Sequence, residues 1–299
     1  MGVLGSFDES VCHIIVVDDA CPEGTGSFVT ENCRDPRVEV VRHERNRGVG
    51  GATLTGYRRA LELGADIIVK VDGDGQMDPK FIPTLTRPIT EGRADYSKGN
   101  RFYLLEGVAG MPFMRLFGNL MLSFVSKLSS GYWKIFDPTN GFTAIHGRVA
   151  ALLVEQPIDE GYFFESDMLF HLNLSRAVVV DVPMKASYGE ERSTLSIPKV
   201  VAPFLWKHLR NFGRRIGYSY FIRDFSIASV ELVLGSLFLI FGIVYGGIHW
   251  YESVESGIAE PTGVVILAAV TFLLGVYLLI GFLNFDIQNQ PENPLHEDL

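Results

Sequence analysis

Two aspartates one residue apart stand among glycines in Asp72-Gly73-Asp74-Gly75-Gln76. Carboxylates at that spacing, on a backbone that glycine lets turn, suit a divalent cation that keeps coordination positions for phosphate oxygens. A polar turn without chemistry has the same pattern, so the surroundings must decide. A second acidic pair, Asp18-Asp19, follows the apolar run His13-Ile14-Ile15-Val16-Val17. Glu165 and Asp167 lie in an aromatic run with Phe163, Phe164 and Phe170, where a charge is costly unless it is paired or functional. Gly99-Asn100-Arg101 and Arg115 place cations after the first motif.

The elements that must position these groups follow from hydrophobic pattern. Ile67 to Val71 is a short, mostly β-branched run, as expected of a strand buried in a parallel sheet, and it ends at Asp72. His13–Val17, Val38–Val41 and Val178–Val182 read as further strands. Leu54, Tyr57 and Leu61 recur at helical spacing over Thr53–Leu63, and Gly64 closes that helix. Alternating strands and helices predict a doubly wound, mostly parallel α/β sheet, whose ligands bind outside the carboxyl ends of the strands. That rim is acidic here and repels phosphates unless a metal bridges them. The stretch Asn46-Arg47-Gly48-Val49-Gly50-Gly51-Ala52 fits two readings equally, an anion seat before a helix or close packing of helix on sheet. Asp137-Pro138-Thr139-Asn140-Gly141-Phe142 reads as a turn into a buried segment, and Ser187–Ile197 as a polar loop.

Composition sets the compartment. The chain has 299 residues, is 47% hydrophobic and carries a net charge of −9, which argues against general nucleic-acid binding. Cys12, Cys21 and Cys33 lack zinc-like spacing and suit free thiols in a reducing compartment. No signal peptide is expected at the start. The apolar excess lies at the end: Leu232–His249 and Gly263–Phe285 are each long enough to cross a bilayer. Before them, Lys199, Trp206, Lys207, Arg210, Arg214 and Arg215 mix with aromatics, as in amphipathic helices lying on an anionic leaflet. Glu252, Glu255 and Glu260 occupy the connection between the spans, without Lys or Arg. The positive-inside rule then puts the soluble part and the tail in the cytoplasm, and the protein in the cytoplasmic membrane as a multi-pass chain. The expected divisions are 1–197 (catalytic domain), 198–225 (interfacial helices), 226–285 (two-span anchor) and 286–299 (tail).

In order, Val-Val-Asp-Asp, Asn-Arg-Gly-x-Gly-Gly-Ala, Asp-Gly-Asp-Gly-Gln-Met-Asp-Pro, Gly-Asn-Arg, Asp-Pro-Thr-Asn-Gly-Phe, Phe-Glu-x-Asp-Met and a Glu-Arg-Ser loop resemble the family 2 glycosyltransferases. Within them the likeness is to the polyprenyl-phosphate sugar transferases, and it runs from about residue 12 through both spans. The resemblance implies a GT-A type α/β domain that moves a hexose from a nucleotide diphosphate sugar (UDP- or GDP-linked) to undecaprenyl or dolichyl phosphate. It implies Asp72 and Asp74 as ligands of Mg²⁺ or Mn²⁺, with Gln76 beside them, and Asp18, Asp19, Asp72 and Gln76 around the nucleotide sugar. Arg101, Arg115 and Arg192 match positions expected to receive the lipid phosphate. Asp137, Glu165 and Asp167 are candidates for a base or for support of the metal, and a buried structural role fits each of them as well. Relatives associate through their spans, so homo-oligomer formation is left open.

The likeness departs at the start. Met1–Val11 contains nothing like the strand and Ile-Pro-x-Tyr-Asn-Glu motif with which the family pattern opens. Without that strand two neighbours carry unpaired edges. The alternative it raises is a catalytically impaired homologue that binds a partner. A processive polysaccharide synthase is the third option, but the Gln-x-x-Arg-Trp motif usual in those is absent.

Overall fold

The computed structural model describes residues 2–103, 113–184 and 197–299, with the side chains of all of these except 115 and 197–200. The chain forms two compact units, residues 1–215 together with 291–299, and residues 216–290.

The first unit is an α/β domain. Its elements are β1 (Ile14–Asp18), α1 (Thr25–Asn32), β2 (Val38–Arg42), α2 (Gly48–Glu62), β3 (Ile67–Lys70), α3 (Ile82–Thr90) and β4 (Tyr96–Asn100). They continue with α4 (Phe113–Ser130), β5 (Thr143–His146), α5 (Gly147–Leu153), α6 (Phe164–Leu174), β6 (Val179–Pro183) and α7 (Ile197–Gly217). The strands expected from the sequence are present within a residue or two. The helix expected from Thr53 begins five residues earlier, at Gly48.

The strands form two sheets. β1 and β2 pair in parallel, and a four-stranded sheet has the order β3-β5-β4-β6. In the latter β4 and β6 are parallel, while β5 runs antiparallel to both β3 and β4. Among the described residues no strand joins β1 to β3, so each presents an open edge, and α2 packs across both. Residues 2–7 of the Met1–Phe7 segment do not pair as a strand: Leu4–Ser6 is a single 3-10 turn. Phe7 and Val11 instead pack, as Ile67 and Val69 do, against the core around Leu85 and Phe142. The larger core joins Leu54 and Tyr57 of α2 to Ile68, Tyr96 and Ile145 of the sheet and to Met168, Leu169 and Leu172 of α6. Burying each such side chain stabilises the domain by about 1.5–3 kcal/mol.

The second unit is a helical hairpin, α8 (Ile227–Ser256) and α9 (Thr262–Gln288), preceded by a π-helical turn at Tyr218–Arg223. At 1.5 Å per residue both helices exceed the roughly 30 Å of a bilayer's hydrocarbon core. Their side chains are largely exposed and apolar, including Leu237, Ile240, Phe241, Val270, Leu273 and Tyr277, so neither is the core helix of a soluble protein. The helices approach closely where side chains are absent: a Cβ on Gly242 would lie 2.7 Å from the Phe272 amide nitrogen, and one on Gly275 2.4 Å from that of Leu239. Small residues at such contacts are what lets apolar helices pack by dispersion alone.

Candidate active site

The two acidic pairs have different environments. In the first, Asp18 Oδ1 accepts from the Cys21 amide at 2.8 Å and Oδ2 from the Gly26 amide at 2.9 Å, so it holds the turn into α1 and the first turn of that helix. Asp19 Oδ1 accepts from the Arg47 amide at 2.8 Å and from His43 Nδ1 at 2.7 Å, and Oδ2 accepts from the Gly48 amide at 2.8 Å. Burial pushes the Asp19 carboxyl up, but the bonds from His43, Arg47 and Gly48 outweigh it and hold the group below the ordinary aspartate value.

The glycine-rich start of α2 is a packing device. Gly50 and Gly51 amides both donate to the Glu160 carbonyl, at 2.8 and 3.1 Å. A Cβ at Gly50 would lie 2.4 Å from the Asp159 carbonyl oxygen. The amides that could have received an anion are already bonded, so of the two readings close packing describes this loop.

The second acidic pair is open. Asp72 lies half-buried where β3 ends, and Asp74 is exposed. The Asp74 carboxylate accepts only the local Gln76 amide, at 2.9 Å, and Gly75 makes the turn at φ +76°. Asp72 Oδ1 accepts from Lys70 Nζ at 2.8 Å. Its other oxygen faces Gly141, where a Cβ would sit 2.7 Å from it and 2.4 Å from Lys70 Nζ, so a side chain there would displace the Lys70–Asp72 pair.

Beneath Asp72 lies a buried charge network. Lys70 Nζ also reaches Glu165 Oε1, at 3.0 Å, from the first turn of α6. Burial alone would depress the Lys70 ammonium, yet Glu165 and Asp72 hold it above the ordinary lysine value. Lys98, with no solvent exposure, donates to the Asn140 carbonyl and stands 3.9 Å from Glu165 Oε2. Burial pushes the Lys98 ammonium down, against the opposing pull of Glu165 and Asp137. Asn140 in turn bridges to the Gly99 carbonyl at 2.6 Å. Sequence reading did not single out either lysine. For Lys70 the available signal was a cation in the otherwise apolar strand Ile67–Lys70, which can be buried only if paired; the polar Tyr96–Asn100 segment gave none for Lys98.

Two residues assigned separate roles from the sequence meet each other. Arg101 Nε and Nη2 grip the two oxygens of buried Asp137 at 2.8 and 3.0 Å, a two-pronged pair that fixes the guanidinium plane. Asp181 bonds Asn100 and the Phe136 amide next to this pair, and burial raises its carboxyl. Asp167 lies elsewhere: Oδ2 accepts from the Asp159 amide at 2.8 Å and Oδ1 from Asn211 Nδ2 of α7 at 2.6 Å. It ties α6 to α7 and to the loop that packs on α2. Gln76 is half-buried beside Asp74. Arg115 is on α4 with its side chain outside the described residues, and Arg192 and most of the Ser187–Ile197 loop lie outside them altogether.

α4 and α7 flank this domain with their apolar faces outward. On α4, Phe113, Phe117, Leu120, Met121 and Phe124 are exposed along one face. On α7 the usual amphipathic order is inverted: His208, Asn211 and Arg215 are buried, while Leu205, Trp206 and Leu209 face out. Inside, His208 Nδ1 meets Ser129 Oγ at 2.7 Å, and burial pushes that imidazole down to about 4.

The first unit is an α/β domain with strand-end carboxylates, two long apolar helices follow it in the chain, and comparison with known proteins gives the family. Residues 3–151 match Glycosyl transferase family 2. The chain is 34% identical over 191 residues to UDP-N-acetylglucosamine–dolichyl-phosphate N-acetylglucosaminyltransferase of Methanococcus voltae, covering 60% of this chain and 76% of that protein. It is 31% identical over 185 residues to the undecaprenyl-phosphate mannosyltransferase of Micrococcus luteus, covering 60% and 75%. Among solved structures it is similar to glucosyl-3-phosphoglycerate synthase from Mycobacterium tuberculosis, at 19% identity, 69% of each chain and a TM-score of 0.48. The chain belongs to glycosyl transferase family 2, and it is a glycosyltransferase.

Proposed function

We propose that this chain transfers a hexose from a UDP- or GDP-linked donor to the phosphate of a polyprenyl lipid at a membrane surface, with a divalent cation as cofactor. The observation that carries the reading is the contrast at the strand ends: Asp72 and Asp74 keep oxygens that the main chain does not occupy. The donor set fits a hard cation such as Mg²⁺ or Mn²⁺. It offers two carboxylates, which leaves coordination positions for diphosphate oxygens and water, as such ions favour. When bound there, the ion would neutralise the leaving diphosphate.

The chain's own residues supply the rest. Lys70 holds Asp72 in one orientation, and Gly141 keeps the space above it clear of a side chain. Arg101, two-thirds buried and locked by Asp137, offers a fixed cation for an incoming phosphate. A lipid phosphate is already an anion, so attack on the anomeric carbon needs alignment more than a general base. On this reading Asp137 is a positioning residue for Arg101, and Glu165 one for Lys70 and Asp72.

Membrane association is supported by the α8–α9 hairpin and by the outward apolar faces of α4 and α7, which suit a lipid interface. The tail beyond the second span belongs to the α/β unit, which supports an even number of crossings with both on one face, the cytoplasmic one by the charge rule. The open edges of β1 and β3 favour a second reading, a homologue that binds the donor without turning it over.

One assay separates the two. Membranes carrying the chain are given radiolabelled UDP- and GDP-sugars with undecaprenyl or dolichyl phosphate, in Mn²⁺ or EDTA, beside an Asp74→Ala control. Metal-dependent glycolipid that vanishes in the control is the expected result. Donor binding without product from any pair would replace the transferase reading with the second one.

A further inference from the structure

The last residues of the chain are part of the α/β domain. After the second span the chain returns, and Leu295–Glu297 forms a short 3-10 turn against it. Leu295 packs on the main hydrophobic core. Its amide donates to Asp95 Oδ2 at 2.8 Å, and the His296 amide and Nδ1 meet Asp95 Oδ1 at 2.8 and 2.7 Å.

Asp95 has no solvent exposure and sits at the junction of three strands. Its carbonyl accepts from the His146 amide at the end of β5, its amide donates to the Val178 carbonyl before β6, and β4 begins at the next residue. Of the four hydrogen bonds to its carboxylate, the domain body supplies one, from the Val178 amide to Oδ2 at 2.7 Å. The tail supplies the other three, and both bonds to Oδ1 come from His296. A buried carboxylate with one oxygen bare is strongly disfavoured. The seat is shaped for this pair of residues. The His146 ring stacks on that of His296 with centroids 4.2 Å apart and planes 11° apart, and Arg148 Nη1 donates to the His296 carbonyl at 3.2 Å.

We propose that the surface formed by Asp95, His146 and Arg148 is a receptor for the chain's own Leu295-His296 pair, and that the α/β domain is completed only when the tail docks there. The tail is a strap at the end of the sheet remote from Asp72, since it binds where β4 begins and β5 ends. It closes the domain from behind and does not occlude the site.

The test compares the full chain in detergent or nanodiscs with a chain ending at Gln290 and with His296→Ala in the full chain. The readouts are hydrogen exchange at the Val178 and His146 amides and the melting of the α/β domain. Truncation is expected to speed exchange at both amides at least tenfold, given about 1.5–3 kcal/mol for a hydrogen bond to a charged group, and to lower the melting temperature by about 5 °C or more. A synthetic peptide of residues 291–299 should restore both in the truncated chain, and the same peptide with His296→Ala should not. Unchanged exchange and melting on truncation, or equal rescue by the two peptides, would overturn the proposal. If the truncated chain fails to fold, His296→Ala decides: faster exchange at Val178 supports the receptor, and wild-type exchange there overturns it.

Discussion

Asp18-Asp19 and Asp72-Gly73-Asp74 each follow an apolar strand and look alike in the sequence, yet the structure makes them opposites. At the first pair the main chain has come to the carboxylates, and amides of Cys21, Gly26, Arg47 and Gly48 occupy their oxygens. At the second pair the glycines turn the chain away, and among the described residues the carboxylates bond a neighbouring amide and the Lys70 ammonium. A strand-end carboxylate is therefore available for chemistry according to how many donors the surrounding chain brings to it. Its position on the rim does not decide the matter.

The largest effect is expected at the open pair. Asp72→Asn or Asp74→Ala should lower sugar transfer about 10³-fold, as loss of a group stabilising the reacting charge does, with the melting temperature within about 2 °C of wild type. A large melting shift would mean that the open pair is structural too, and the contrast would collapse.

Lys70→Met comes next. It leaves Glu165 with only Lys98, at 3.9 Å, and should cost about 3 kcal/mol of stability, as breaking a buried pair does. It should also weaken Mn²⁺ binding in the absence of nucleotide about tenfold, measured by electron paramagnetic resonance, because Asp72 loses the group that orients it. Tighter Mn²⁺ binding would show that Lys70 competes with the metal for Asp72 and does not preorganise the site.

Asp19→Asn should cost about 2 kcal/mol in a denaturant melt and leave nucleotide affinity unchanged. Altered donor affinity would break the comparison, since it would place the closed pair in the nucleotide pocket. The pH dependence sharpens it. The folded Asp19 carboxyl lies below its unfolded value, so its contribution is complete above about pH 4 and is lost as pH falls through the folded value. The stability gap between wild type and Asp19→Asn should therefore close only in acid. The smallest effect is expected for Arg101→Lys, which loses the two-pronged grip on Asp137. The acceptor KM should rise about tenfold, with kcat nearly unchanged.

These contrasts explain what was legible in the sequence. Strands such as Ile67–Lys70 were, because β-branched runs bounded by polar turns have few other solutions. Both long apolar helices were, because a long run with little charge suffices. The start of α2 was not. Three glycines at 48, 50 and 51 read as a loop, yet the helix starts among them, with the backbone of 159–161 too close to Gly48 and Gly50 for a side chain at either. The antiparallel β5 was visible only as a buried segment, since four residues with no alternation carry no direction. The role of Asp167 depends on Asn211, 44 residues away, and that of Asp95 on His296 at the far end of the chain. No local pattern encodes either pairing.

The strap also sets an order of events in biosynthesis. Domains commonly fold as they leave the ribosome, the N-terminal part first. Here the residues that satisfy Asp95 follow both apolar helices in the chain. With the strap as proposed, the nascent α/β domain waits with its strand junction unsealed until both helices have been made. Completion of the fold then reports that translation has passed through the hairpin.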